Sequence, residues 1–219
     1  MKKLKTRNIL VAIVLVFMVF QIFRGVSSLI GSLSRKGNII VIDPGHGGKD
    51  PGTIGINNNL EKDINLDISK KLYKKLKGKG YEVIITRDTD EYIENIQRAR
   101  LANKENAKIF VSIHCNSAKN NSSANGVQVL YYPSNKATNN ELFAQTVLDE
   151  VLRNTGANNK GIVERKDLIV LNQTNMPAIV VECGFLSNED EANLLGTHRY
   201  QRKIVNGIVK GLENYINGF

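Results

Sequence analysis

From its N-terminus the chain presents an unbroken apolar run, Ile9 to Phe20, continued past Gln21 by Ile22 and Phe23. No polar face interrupts it, so it does not read as a helix lying on a globular core. A stretch rich in Ser and Gly, 27–37, follows. Beyond it, short β-branched runs alternate with stretches of helical period. Asn38 to Asp43 is apolar and β-branched and stops at Pro44-Gly45, the pattern of a buried strand entering a loop. Ile64, Ile68, Leu72 and Leu76 recur at every fourth position and predict an amphipathic helix over 60–76, closed by Gly78 and Gly80. Further strands are predicted at 81–86, 108–114, 126–132, 168–171 and 178–182, and further helices at 93–106, 139–153, 189–195 and 199–216. Ala178 to Val181 has the character of a central strand. This alternation predicts an α/β layered fold with a mainly parallel sheet, as one domain over 38–219 without internal repeats.

Composition and charge refine the picture. A chain of 219 residues with 42% hydrophobic content is large enough for one self-sufficient core. Of the formal net charge of +9, five positive charges (Lys2, Lys3, Lys5, Arg7 and Arg24) fall in the first 34 residues, which hold no acid. A basic flank before an apolar run is an export signal. The run from Ile9 to Phe23 spans about 22 Å as a helix, short of the roughly 30 Å hydrocarbon core, but Leu4 and a snorkelling Arg24 extend it. No A-x-A cleavage pattern follows. The expected organisation is therefore a basic cytoplasmic flank at 1–8, an uncleaved signal anchor at 9–24, a linker at 25–37, and a globular domain held at the cell membrane on its extracytoplasmic side. Outside the first 34 residues, 25 basic residues face 21 acidic ones, a mild excess of +4. That balance suits an anionic wall or membrane surface and does not indicate nucleic acid. The absence of tryptophan disfavours a sugar-stacking module. Cys115 and Cys183 are expected as buried thiols on strands, where neighbouring positions are poorly placed for a disulfide.

Three polar constellations sit where apolar strands end: Asp43 to Gly48 with His46 among glycines, Ser112 to Asn116 with His114, and Val180 to Phe185 with Glu182. In open α/β sheets such strand ends are where ligands gather. Only three histidines exist in the chain, and two of them occupy these ends. A catalytic zinc site takes three His or carboxylate ligands and keeps one position open. His46 and His114 supply two. Glu61, on the first turn of the helix after the His46 loop, is the best third, with Asp63 and Asp67 left as competitors by spacing. His198, at the start of the last predicted helix, reads as a surface residue. A carboxylate at a strongly apolar strand end has its pKa pushed up by burial, which fits Glu182 for a general base.

These stretches, Val41 to Gly48, Glu61, Ser112 to His114 and Val181 to Asn188, resemble in order the zinc-dependent N-acetylmuramoyl-L-alanine amidases of the amidase_3 family, over about residues 38–216. The resemblance implies a three-layer α/β/α fold around a mixed sheet of about six strands. It implies one Zn2+ per chain held by His46, Glu61 and His114, with Glu182 as catalytic base, and so selects Glu61 over Asp63. The substrate would be peptidoglycan, cut at the amide between the lactyl group of N-acetylmuramic acid and L-alanine. Arg87, in Thr86-Arg87-Asp88, and Arg98 also match family positions, as structural or substrate-orienting groups. With Asn116 they form the substrate-binding candidates. Cys115 departs from the small residue common in the family, and alternation on a strand turns it away from the face used by His114. The stretch 116–126 is too short for the helix-bearing plug of some relatives, which implies control by a regulatory protein partner. One membrane segment with one catalytic domain resembles the germination-specific members that act in spore-cortex maturation, in the forespore intermembrane space. A vegetative autolysin of the family, a zinc peptidase acting within the stem peptide, and a non-catalytic wall-binding protein are the alternatives.

Overall fold

A computed structural model of the chain describes residues 14–22, 38–133 and 139–218. Residues 14–22 form a helix (α1) whose Val14 to Phe20 and Ile22 side chains are exposed. Among the described residues no helix is long and apolar enough to cross a membrane. The basic flank, both ends of the expected anchor and the linker lie outside the described residues.

The domain runs β1 (Ile39–Pro44), α2 (Glu61–Gly78), β2 (Glu82–Ile85), α3 (Asn95–Lys104), β3 (Ile109–Asn116), β4 (Val127–Tyr131), α4 (Asn140–Thr155), β5 (Asn159–Glu164), α5 (Ile169–Asn172), β6 (Ala178–Phe185), α6 (Glu189–Leu195) and α7 (His198–Asn217). The six strands form one sheet in the order β2-β1-β3-β6-β4-β5. All neighbours are parallel except β4 and β6, so the sheet is mixed and mainly parallel.

Both faces of the sheet are covered, and strand alternation assigns each residue to one of them. Ile40 and Ile42 of β1, Ile109, Val111, Ile113 and Cys115 of β3, and Ile179, Val181 and Cys183 of β6 share a large core with apolar residues of α2, α4 and α7. Val41, Phe110, Ala178 and Val180 point the other way, into a smaller core with Ala102 of α3 and Val170 and Leu171 of α5. The layers are thus unequal. On the thick side α7 lies against α4 at glycine positions. A Cβ on Gly207 would come within 2.5 Å of Val151 Cα, and one on Gly211 within 2.7 Å of Val147 Cα. Thr197 caps α7 by accepting the Tyr200 N–H, and Asn188 caps α6 by accepting the Glu191 N–H.

Two elements differ from the sequence expectation. Residues 168–171, predicted as a strand, are a single helical turn, with Leu171 and Asn172 N–H groups donating to the Leu168 carbonyl. A four-residue apolar run is too short to separate the two periods. No sheet edge waits for it beside β6, which β3 and β4 already flank. The remaining strand is β5, at the sheet edge and largely exposed, whose Asn159-Lys160-Gly161 start shows no apolar alternation.

Candidate metal centre

The site forms where β1, β3 and β6 end, on the thinly covered face. β1 runs into the loop Gly45 to Gly48, and His46 adopts a left-handed φ of 62° that a non-glycine residue rarely accepts. Two buried guanidiniums hold this loop. Arg98 donates to the carbonyls of Pro44 at 2.6 Å and His46 at 2.7 Å and to Asp43 Oδ1 at 2.8 Å. Arg87 donates to the carbonyls of Pro44 at 3.0 Å, Gly45 at 2.8 Å and Lys62 at 2.9 Å. Asp43 also accepts from the Thr86 hydroxyl at 2.6 Å and the Ser112 hydroxyl at 2.7 Å. Burial works to raise the Asp43 pKa, but the Arg98 charge and these hydrogen bonds leave it below the usual carboxylate range.

The clamp delivers His46 to Glu61, the first residue of α2. His46 Nε2 lies 3.2 Å from Glu61 Oε1, and His114 Nδ1 lies 3.0 Å from the same oxygen. One ligand atom from each of His46, Glu61 and His114 lies within 4.8 Å of the others. Donors around a tetrahedral ion with bonds of about 2.0–2.1 Å sit about 3.3 Å apart, so both contacts have the spacing of one coordination shell. Two imidazoles and a carboxylate are a donor set suited to a divalent transition metal. The surroundings orient all three. Asp50 Oδ2 lies 2.8 Å from His46 Nδ1, leaving Nε2 to face the site. Glu61 accepts backbone N–H groups from Cys115 at 3.1 Å and Thr53 at 2.8 Å. Glycines leave room for the rings: a Cβ on Gly45 would fall 2.2 Å from the His114 ring, and one on Gly52 2.7 Å from His46.

His46 and Glu61 shift one another's proton affinity. Burial pulls the His46 imidazole down, but the Glu61 and Asp50 carboxylates outweigh it and carry its pKa up to about 9. Burial would raise Glu61, but hydrogen bonds and charge from both histidines hold it well below the usual range. Such a cluster releases protons when a metal enters.

Glu182 of β6 stands directly across the ladder from His114. Its Oε2 is buried with no hydrogen-bond partner among the described residues. Burial, reinforced by the Glu61 charge, lifts its carboxyl to about 7 against the opposing pull of His114, His46 and Arg165. It shares a cavity of 250 Å³ with His46, Asp50 and His114. A carboxylate poised near neutrality beside a potential metal site can accept and return a proton.

The structure thus brings His46, Glu61, His114 and Glu182 to one place. Asp63 and Asp67, the competing carboxylates, are exposed on α2. Arg87 and Arg98, expected as structural or substrate-orienting, are 1% and 2% exposed and turned onto loop carbonyls. Asn116 is partly exposed and bonded through its side chain to Gln128 and the Ser117 N–H. His198 is exposed on α7. Cys115 and Cys183 are buried free thiols. The stretch between β3 and β4 carries no helix. Sequence reasoning missed Asp50 and Arg165. Asp50, four residues past His46, was within reach of it. Arg165 carried no local signal, because the strand that presents it was not recognised.

The Amidase_3 family, N-acetylmuramoyl-L-alanine amidase, matches residues 40–214. The germination-specific N-acetylmuramoyl-L-alanine amidase of Bacillus subtilis (strain 168) is 33% identical over 230 residues, which cover 98% of this chain and 95% of that protein. Among solved structures, an N-acetylmuramoyl-L-alanine amidase from Clostridium difficile 630 is similar with a TM-score of 0.78 and 42% identity, over 82% of this chain and 97% of its own. The CwlD amidase from Clostridioides difficile, solved in complex with the GerS lipoprotein, is similar with a TM-score of 0.73 and 34% identity, over 83% and 99%.

Proposed function

Because the chain belongs to the Amidase_3 family of N-acetylmuramoyl-L-alanine amidases, we propose that it cuts peptidoglycan between the lactyl group of N-acetylmuramic acid and L-alanine, using zinc held by His46, Glu61 and His114 and a proton relay through Glu182. One observation carries this assignment: two imidazole nitrogens converge on one carboxylate oxygen, and a buried glutamate without a partner opens into the same cavity. A zinc ion in such a site supplies Lewis acidity toward the scissile carbonyl and toward water. Asp50 keeps the His46 ring in the orientation a ligand needs. Glu182 accepts a proton from the attacking water and delivers it to the departing alanine nitrogen. Its apolar surroundings hold its carboxyl to about 7, so both directions of transfer are accessible near neutral pH.

The likeness to the germination-specific amidase over nearly the whole chain supports a role in the spore cortex. The GerS complex of the CwlD amidase supports a protein partner for this chain too. The apolar N-terminal segment supports tethering to a membrane with the domain on the extracytoplasmic side. The test is digestion of purified peptidoglycan by the full-length protein, with zinc and with a chelator, followed by mass spectrometry of newly exposed amines. Chelator-sensitive N-terminal L-alanine is the expected product. Release of D-alanine instead would reassign the chain as a peptidase.

A further inference from the structure

We propose that Arg165 is an anion-binding subsite for the stem peptide, and that its ligand is the free α-carboxylate of the second stem residue, a D-glutamate linked onward through its γ-carboxyl. The inference rests on the amidase reading of the same cavity. That cavity is lined by His46, His114 and Glu182, by the apolar side chains of Leu130, Val180 and Leu168, and by Arg165. Its other charged lining groups include the acids Asp50 and Glu182, and among the described residues Arg165 is the one Lys or Arg side chain that lines it.

The guanidinium is held on one edge. Arg165 follows β5 directly, and its N–H is tied to the Tyr131 carbonyl at 2.7 Å. Its Nε and Nη2 donate to the two oxygens of Asp167 at 2.8 and 2.7 Å. This in-plane pair fixes one edge of the fork and leaves Nη1 with no hydrogen-bond partner among the described residues. Asp167 is itself 67% exposed and Arg165 39%. An exposed pair of this kind contributes little to stability, and it occupies one edge of the fork. The Arg165 charge also reaches Glu182, one of the groups that lowers its proton affinity.

The substrate supplies a matching anion. With the scissile amide at the metal triad, the α-carboxylate of the second residue lies about 6–7 Å further along an extended stem. A cavity of 250 Å³ is small for a whole stem peptide and suits alanine and the residue after it. Many walls amidate this carboxylate to isoglutamine, which removes the charge and nothing else. The subsite therefore makes cleavage sensitive to that modification.

The experiment compares kcat/KM of the full-length zinc enzyme on two disaccharide-peptides that differ only in D-glutamate or D-isoglutamine at the second position. Wild type is expected to prefer the glutamate form by about tenfold or more, the value of a charge-assisted hydrogen bond, mostly through KM. Arg165→Gln should bring that ratio close to one, and Arg165→Lys should restore part of it. Thermal melting of each variant separates loss of fold from loss of preference. A wild-type ratio of one, or an unchanged ratio in Arg165→Gln, overturns the subsite while the amidase reading stands. Cleavage of neither form by wild type, with no new L-alanine amine, overturns both.

Discussion

Glu182 should cost the metal-free protein stability and the metal-loaded protein should need it, so replacing it by glutamine separates the two effects. The carboxyl rises from 4.5 to about 7, burial being the largest cause. Between these values the folded protein keeps a proton that the unfolded chain has lost. Stability attached to this group is therefore intact below about pH 4.5 and falls as pH rises toward 7. At about 1.4 kcal/mol per pH unit, the loss above neutrality is about 3 kcal/mol. Glu182→Gln keeps the shape and removes the charge. In chelator it should match wild type near pH 4 and exceed it by about 3 kcal/mol near pH 8, read from urea denaturation with an unchanged slope. With zinc restored, the same variant should bind metal and lose about 10²–10⁴-fold in peptidoglycan cleavage. Equal stability near pH 8, or a gain as large near pH 4, would refute the account of a carboxylate buried without a partner.

Gly45→Ala should weaken zinc binding by about tenfold or more, measured by equilibrium dialysis, since the new methyl falls 2.2 Å from the His114 ring. Retained affinity would mean that the ring has room to move. Arg98→Ala should destabilise the domain by about 3–5 kcal/mol in chemical denaturation, because it strips Asp43 of its charge partner, frees the His46 carbonyl and leaves the Pro44 carbonyl to Arg87 alone. Arg98→Lys should not rescue it, since a single ammonium cannot reproduce the planar fork. Gly207→Ala should lower the melting temperature even though alanine favours helices by about 1 kcal/mol, because the added methyl meets the α4 backbone at 2.5 Å.

Much of this was legible in the chain. The β-branched runs of β1, β3 and β6 and the four-residue period of α2 come from strong, repeated apolar signals, and they hold His46, His114, Glu182 and Glu61. What spacing left open was the third ligand. Glu61, Asp63 and Asp67 all lie in the first two turns of α2, and only the rotation of that helix against β3 turns Glu61 inward. β5 was illegible for a physical reason. This edge strand is largely exposed, with only Ile162 and Val163 packing partly against the two cores, so it has little need of alternation, and its pairing with β4 is carried by backbone groups. The turn at α5 was misread because four apolar residues satisfy either period. These errors fall side by side in the chain, and they hid Arg165, which lies between the two elements.

The unequal layers explain why the chemistry sits where it does. Alternation along β3 sends Ile109, Val111, Ile113 and Cys115 to the thick side, so Ser112 and His114 face the thin side with Phe110. The same rule on β6 sends Glu182 there with Val180, and on β1 it sends Asp43 there with Val41. Polar side chains on the thick side would meet α2, α4 and α7 and lose all contact with substrate. On the thin side α5 is a single turn of four residues, and the sheet ends stay open above it. A one-residue slip of β3 against β1 would exchange His114 for Cys115 at the site and bury the histidine in the large core. The Asp43 network with Thr86, Arg98 and Ser112 opposes such a slip by tying β1 to the start of α3, the end of β2 and the middle of β3. The buried arginines are therefore part of the construction of the candidate metal centre although neither reaches it.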